Sequence, residues 1–145
     1  MAKKIIILGS TGSIGKNVLA VVRMFPDRFR IVGLSAGKNV RELAAQVLEF
    51  DPQCISVADE ASVDVLADML PGKFRNRIYW GSRGNRKVAT VDTAEMMVSA
   101  VVGAVGLMPT LDAIAAGKDI GLANKETLVM AGELGMMKAR QAGVQ

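Results

Sequence analysis

Two hydrophobic rhythms alternate along the chain. Residues 4–8 read as a strand buried on both faces of a parallel sheet, since Lys4 leads into the uninterrupted aliphatic run Ile5-Ile6-Ile7-Leu8 that ends at Gly9. From Ser13 to Met24 the apolar residues Ile14, Val18, Leu19, Val21 and Val22 recur at helical spacing until Pro26 stops the pattern. A second short strand is predicted over residues 31–34. A second helix follows over residues 40–50, with Val40, Leu43, Ala44, Val47 and Leu48 on one face and Pro52 beyond its end. Residues 54–57 give a third strand and 60–70 a third helix, closed by Pro71 and Gly72.

The pattern is weaker after that. Residues 77–80 read as another short strand, 81–86 as a glycine-rich basic loop, and 88–93 as a brief helix. It then recovers with a strand over 96–102, a helix over 108–116 with Pro109 in its first turn, a strand over 119–122 and a closing helix over 125–141. Strands alternating with helices of about 10 to 15 residues predict an α/β fold, a doubly wound parallel sheet with helices on both faces. Only residues 142–145 follow the last helix. A Rossmann-like sheet would want a return strand there, so the sheet is expected to be truncated before its last strand.

Composition narrows the function classes. The chain is 145 residues long, about one domain, with 50% hydrophobic and 22% charged residues, which excludes wholesale disorder. No apolar run approaches the roughly 20 residues of a membrane span, and the aliphatic run after Lys3 and Lys4 is too short for a secretory signal. The expectation is a soluble cytoplasmic protein with no membrane partner. Histidine is absent and Cys54 is the single cysteine, which removes imidazole bases, a disulfide framework and a cysteine-rich zinc site. Chemistry must therefore come from carboxylates, lysines, hydroxyls or a cofactor. The nine methionines, including the pairs Met96–Met97 and Met136–Met137, read as core gap-fillers rather than metal ligands.

The net charge of +4 is densest at Lys73, Arg75, Arg77, Arg83, Arg86 and Lys87, interleaved with Phe74, Tyr79 and Trp80. Such a stretch suits phosphates and stacked bases. The preferred reading is nevertheless a solvated connection with a few anchoring aromatics, and no nucleic-acid partner.

Position gives the Gly9-Ser10-Thr11-Gly12-Ser13-Ile14-Gly15 segment its weight, because it joins the first strand to the first helix. There a dinucleotide-binding unit places a pyrophosphate on backbone N–H groups at a helix N-terminus. Gly9 can take the tight turn, Gly12 lets phosphate oxygens approach the backbone, and Gly15 permits close packing of helix on strand. Thr11 and Ser13 add hydroxyls. A glycine turn serving only the fold is the alternative. About 20 residues on, no Asp or Glu is found to take a ribose 2′-hydroxyl. Gly37, Lys38 and Asn39 stand there instead, and a cation favours the 2′-phosphate of NADP. Asn39 also reads as a helix cap and Lys38 as a surface lysine. Asn124, Lys125 and Glu126 put an amide, a cation and a carboxylate side by side after the last predicted strand, in a place that suits a nicotinamide ribose and an anionic substrate or, equally, a solvated first turn.

GSTGSIG, AGKNV, VVGAVGLMPTLDAIAAGKDIGLANKETLV and PDRF together resemble the 1-deoxy-D-xylulose 5-phosphate reductoisomerase family along essentially the whole chain. ANKE followed by a small hydroxyl residue and LV is the most specific part, and residues 58–92 the least. The resemblance implies NADPH-dependent rearrangement and reduction of a phosphorylated sugar, 1-deoxy-D-xylulose 5-phosphate, to 2-C-methyl-D-erythritol 4-phosphate in non-mevalonate isoprenoid biosynthesis, assisted by a divalent cation, magnesium or manganese. It implies that Thr11, Gly12, Ser13 and Ile14 cradle the pyrophosphate, and that Gly37, Lys38 and Asn39 hold the adenosine end. Asn124 and Glu126 match cofactor positions and Lys125 a substrate position.

The family's metal-binding Asp-Ser-Glu-His segment, flexible loop and C-terminal domain are missing from this sequence. The expectation is thus an N-terminal NADPH-binding domain over residues 1–145 of a bacterial, homodimeric enzyme, with no catalytic residue and no metal ligand in this chain, binding cofactor without turnover. The alternatives are another NADP oxidoreductase domain or an NADP-sensing binding module.

Overall fold

The computed structural model describes residues 2–101 and 103–122. Strand β1 (Lys3–Leu8), helix α1 (Ser13–Met24), β2 (Phe29–Ser35), α2 (Val40–Phe50), β3 (Cys54–Val57) and α3 (Glu60–Asp68) come first. Then follow β4 (Ile78–Trp80), α4 (Gly81–Ala89), β5 (Met96–Ser99), α5 (Leu107–Ala115) and β6 (Asp119–Leu122), with short 3-10 turns over Gly72–Arg77 and Gly103–Gly106. The six strands form one sheet in the order β4-β3-β2-β1-β5-β6, and every pairing is parallel.

Alternating side chains of β1 explain both faces. Ile5 and Ile7 point into a core that also holds Leu19 and Val22 of α1, Leu43 and Val47 of α2, and Leu66 of α3. Ile6 and Leu8 point the other way, against Val88 and Ala89 of α4 and Ala113 of α5. Successive strand residues face opposite sides, so a central strand with helices on both sides has to be aliphatic throughout. β2 carries an irregularity where Ile5 pairs with Ile31 but Ile6 pairs with Gly33. Gly33 lies under the helices there, and a Cβ on it would sit 3.1 Å from both Ile6 and Val88 side chains.

Two expectations change. Residues 81–86 are not a loop before a short helix at 88–93; they are the first turns of α4. Gly84 accounts for this, because it is buried and a Cβ there would lie 2.4 Å from Ser56 Oγ on β3. The glycine permits close contact between helix and sheet, and burial of Val88 and Ala89 offsets its weak helix propensity of about 1 kcal/mol. The strand expected over 96–102 stops at Ser99 and gives way to the 3-10 turn. The short strand expected over residues 77–80 is present as β4, an edge strand beside β3, and the sheet has six strands among the described residues. The helix expected over 125–141, and any return strand, lie outside them. The doubly wound α/β architecture stands.

Candidate functional site

The strand order reverses direction at β1, whose neighbours are β2 and β5, and open sheets of this kind bind ligands at the carboxyl ends of the strands on either side of such a reversal. The loop leaving β1 is tied down on both sides. The N–H groups of Gly9 and Ser10 both donate to the Ser35 carbonyl at the end of β2, at 2.8 and 2.9 Å. Gly9 has φ +79°, and a Cβ on it would lie 2.9 Å from the Ala100 carbonyl group beyond β5. Only glycine meets both demands. Gly15 is equally constrained, since its Cβ would lie 2.3 Å from the Gly9 carbonyl oxygen.

Gly12 differs from both. It caps α1 with an ordinary extended backbone, φ −77° and ψ 172°, and a Cβ there would meet nothing nearer than the Gly9 carbonyl oxygen at 3.6 Å. Nothing among the described residues requires glycine at this position. No side chain caps α1, and its first backbone bond of this turn runs from Lys16 N–H to Gly12 carbonyl at 2.9 Å. The N–H groups of Ser13, Ile14 and Gly15 therefore remain without an acceptor among the described residues, as expected of an open helix start. Gly12, Ser13 and Ile14 are exposed and Thr11 is half-buried. A bare backbone with free N–H groups at a helix N-terminus is an anion cradle.

A buried pair that the sequence reading missed holds the loop from below. Ser10 Oγ donates to Gln46 Oε1 at 2.7 Å, and Gln46 Nε2 donates back to the Ser10 carbonyl at 2.9 Å. Both residues are almost wholly buried. The available signal was Gln46 standing three residues after Leu43, inside the apolar face of α2.

Gly37, Lys38 and Asn39 sit together and exposed beyond β2. Asn39 does cap α2, accepting from the Glu42 N–H at 3.3 Å, so its structural role is real. Lys38 makes no ion pair among the described residues. Lys38 contributes weakly to the field at Asp59, whose carboxyl is held below the usual range mainly by hydrogen bonds from Ser62. Asp59 is already engaged as the cap of α3. Asn124, Lys125 and Glu126 lie outside the described residues.

Beside Gly37 opens a cleft of about 610 Å³ at the strand carboxyl ends, between the segment after β2 and the start of α4. Its walls are largely apolar. Among the described residues, no group of three Asp, Glu, Cys or His side chains is placed to hold a metal ion. Nor is any helix there long and apolar enough to cross a membrane.

The basic stretch is largely self-neutralised. Lys73 and Arg77 pair with Asp51, Arg75 with Asp64 and Arg86 with Asp112, which leaves Arg83 and Lys87 of its six cations without an ion pair among the described residues. Phe74 is a core residue, with Lys73 and Arg77 over its ring at 4.9 and 5.0 Å. The methionine expectation holds for Met97, which is buried, and fails for Met24, Met69 and Met108, which are exposed. Burial pushes the Cys54 thiol up to about 11, so it is not a thiolate nucleophile at neutral pH.

The sequence pattern of the 1-deoxy-D-xylulose 5-phosphate reductoisomerase family matches residues 5–132. The chain belongs to this family. A reductoisomerase of Prosthecochloris aestuarii is 52% identical over 99% of this chain, and that stretch is 37% of the relative's length. One from Thermodesulfovibrio yellowstonii is 46% identical over the same share of the chain. The chain thus spans little more than a third of the relatives it matches. Among solved structures, the reductoisomerase of Zymomonas mobilis in complex with NADPH superposes with TM-score 0.92 at 32% identity, covering 100% of this chain and 38% of that one. A homoserine dehydrogenase from Thiobacillus denitrificans, at 19% identity and TM-score 0.59, shares the fold alone.

Proposed function

We propose that this chain is the NADPH-binding domain of a reductoisomerase that converts 1-deoxy-D-xylulose 5-phosphate to 2-C-methyl-D-erythritol 4-phosphate. The observation that carries the reading is Gly12, a glycine that no described residue requires, at the open start of α1. Family membership and the resemblance to an NADPH-bound relative support it.

In this reading Thr11, Gly12, Ser13 and Ile14 hold the pyrophosphate through backbone N–H groups and the Thr11 and Ser13 hydroxyls. Gly37, Lys38 and Asn39 hold the adenosine end. The Lys38 ammonium, free of ion pairs among the described residues, meets the 2′-phosphate as a point charge. Bound there, NADPH supplies the reducing hydride. By family resemblance we assign Asn124 and Glu126 to the nicotinamide side and Lys125 to the phosphorylated sugar. We assign no described residue to the divalent cation, and we assign turnover to the whole-length protein, a cytoplasmic homodimer, since the relatives are far longer than this chain.

The test is a titration of NADPH fluorescence with this chain and with Gly12→Ala. The chain should bind, and the variant, folded as well as the parent, should bind at least about tenfold more weakly because its methyl meets the phosphates. Equal affinities would contradict a pyrophosphate at Gly12.

A further inference from the structure

The two flanks of the β4 edge differ in charge and in shape. Among the described residues β4 pairs with β3 alone and ends the sheet, and an open edge is a surface that a protein either protects or uses. On the face that carries α1, α2 and α3, α3 packs on both β3 and β4 and so reaches out to the edge. Glu60, Asp64 and Asp68 stand four residues apart along it and share one side of the helix. All three are exposed, as are Val65 at 46% and Met69 at 42%. Asp64 pairs with Arg75, while Glu60 and Asp68 form no ion pair among the described residues. The opposite face is the complement. There α4 leaves the end of β4 and runs inward across β3, β2 and β1. It leaves a hollow of about 420 Å³ lined by Tyr79, Trp80, Arg83, Gly84 and Lys87. Arg83 and Lys87, exposed and four residues apart, form its charged wall, and Trp80 is 45% exposed.

The charges also stand at matching heights. Val57 and Trp80 are partners in register, and α3 and α4 both start just past them and run back along the sheet. Glu60 and Arg83 each stand three residues beyond that pair, and Asp64 and Lys87 seven. A two-fold axis parallel to the strands, set along the β4 edge, brings the α3 face of one copy to the same side as the α4 face of another and leaves heights unchanged. We propose that the β4 edge is a self-complementary docking surface for a second copy of this chain, in which α3 of each copy lies in the hollow over β4 of the other. Glu60, Asp64 and Asp68 then meet Arg83 and Lys87 twice, once in each half of an isologous contact, and Val65 and Met69 cover Tyr79 and Trp80. Exposed ion pairs add little net affinity, so the charges set register and choice of partner while the apolar side chains supply the burial. The proposal is independent of the cofactor reading, since among the described residues this hollow shares no lining residue with the cleft beside Gly37.

Sedimentation velocity on the 145-residue chain tests it, together with two charge-reversed variants: Arg83→Glu with Lys87→Glu, and Glu60→Lys with Asp68→Lys. In about 0.1 M salt the parent should form dimers, and about 1 M salt should weaken them as the Debye length shrinks to about 3 Å. Each variant alone sets like charges against each other in both halves of the contact and should raise the dimer dissociation constant at least about tenfold. An equimolar mixture of the two variants should restore a dimer with one copy of each, because both halves are then complementary, a result that a misfolded variant does not give. A parent that stays monomeric up to about 1 mM overturns the proposal and leaves the hollow to a foreign acidic helix. Variants that dimerise as the parent does, or a mixture that stays monomeric, overturn it as well.

Discussion

The loop over residues 9–15 and the first turn of α4 are both glycine-bearing and both follow a strand, yet their glycines serve different ends. In the loop, Gly9 and Gly15 are demanded by backbone too close for any Cβ, while Gly12 is demanded by nothing among the described residues. In α4, Gly81 supplies a left-handed turn and Gly84 lets the helix lie on Ser56. A glycine required by packing explains the fold; one that packing leaves unexplained points outward to a ligand.

Substitutions can break that contrast, the largest effect first. Gly15→Ala forces a methyl into the Gly9 carbonyl oxygen and the Ser10 backbone, neither of which can rotate away. It should cost about 3 kcal/mol in urea unfolding, since overpacking against backbone is at the severe end of core insertions. Gly84→Ala meets a side-chain hydroxyl instead. Its cost should be about 1 kcal/mol after the gain in helix propensity, and Ser56→Ala in the same chain should recover most of it. That double variant is the sharper test, because an additive result would mean that Ser56 is not what Gly84 accommodates. Gly12→Ala should leave unfolding within about 0.5 kcal/mol of the parent. A large loss would return Gly12 to the fold and remove the reason for assigning it to a ligand.

Much of the fold was legible because the central strands are buried on both faces. The aliphatic run of β1 and the periodic faces of α1 and α2 marked their own elements. Pro26 and Pro52 marked the stops. What misled was α4, where glycines and arginines read as a loop; its helical character comes from tertiary contact with Ser56 and burial of Val88 and Ala89, which no local pattern displays. Edge strand β4 is only three residues long, too short to show a period. At the site, the glycine loop and Lys38 were legible from position. The supporting Ser10–Gln46 pair was not, because a buried glutamine looks like any surface residue until its partner 36 positions away is known.

Calorimetric titration of the chain with NADPH and with NADH, repeated on Lys38→Ala, tests the central claim most directly. If the loop beyond β2 receives a 2′-phosphate on Lys38, the parent chain binds NADPH at least about tenfold more tightly than NADH, roughly the 1.4 kcal/mol of one charge-assisted contact, and Lys38→Ala binds the two alike. Equal affinity of the parent for both nucleotides, or a preference that survives in Lys38→Ala, would contradict it.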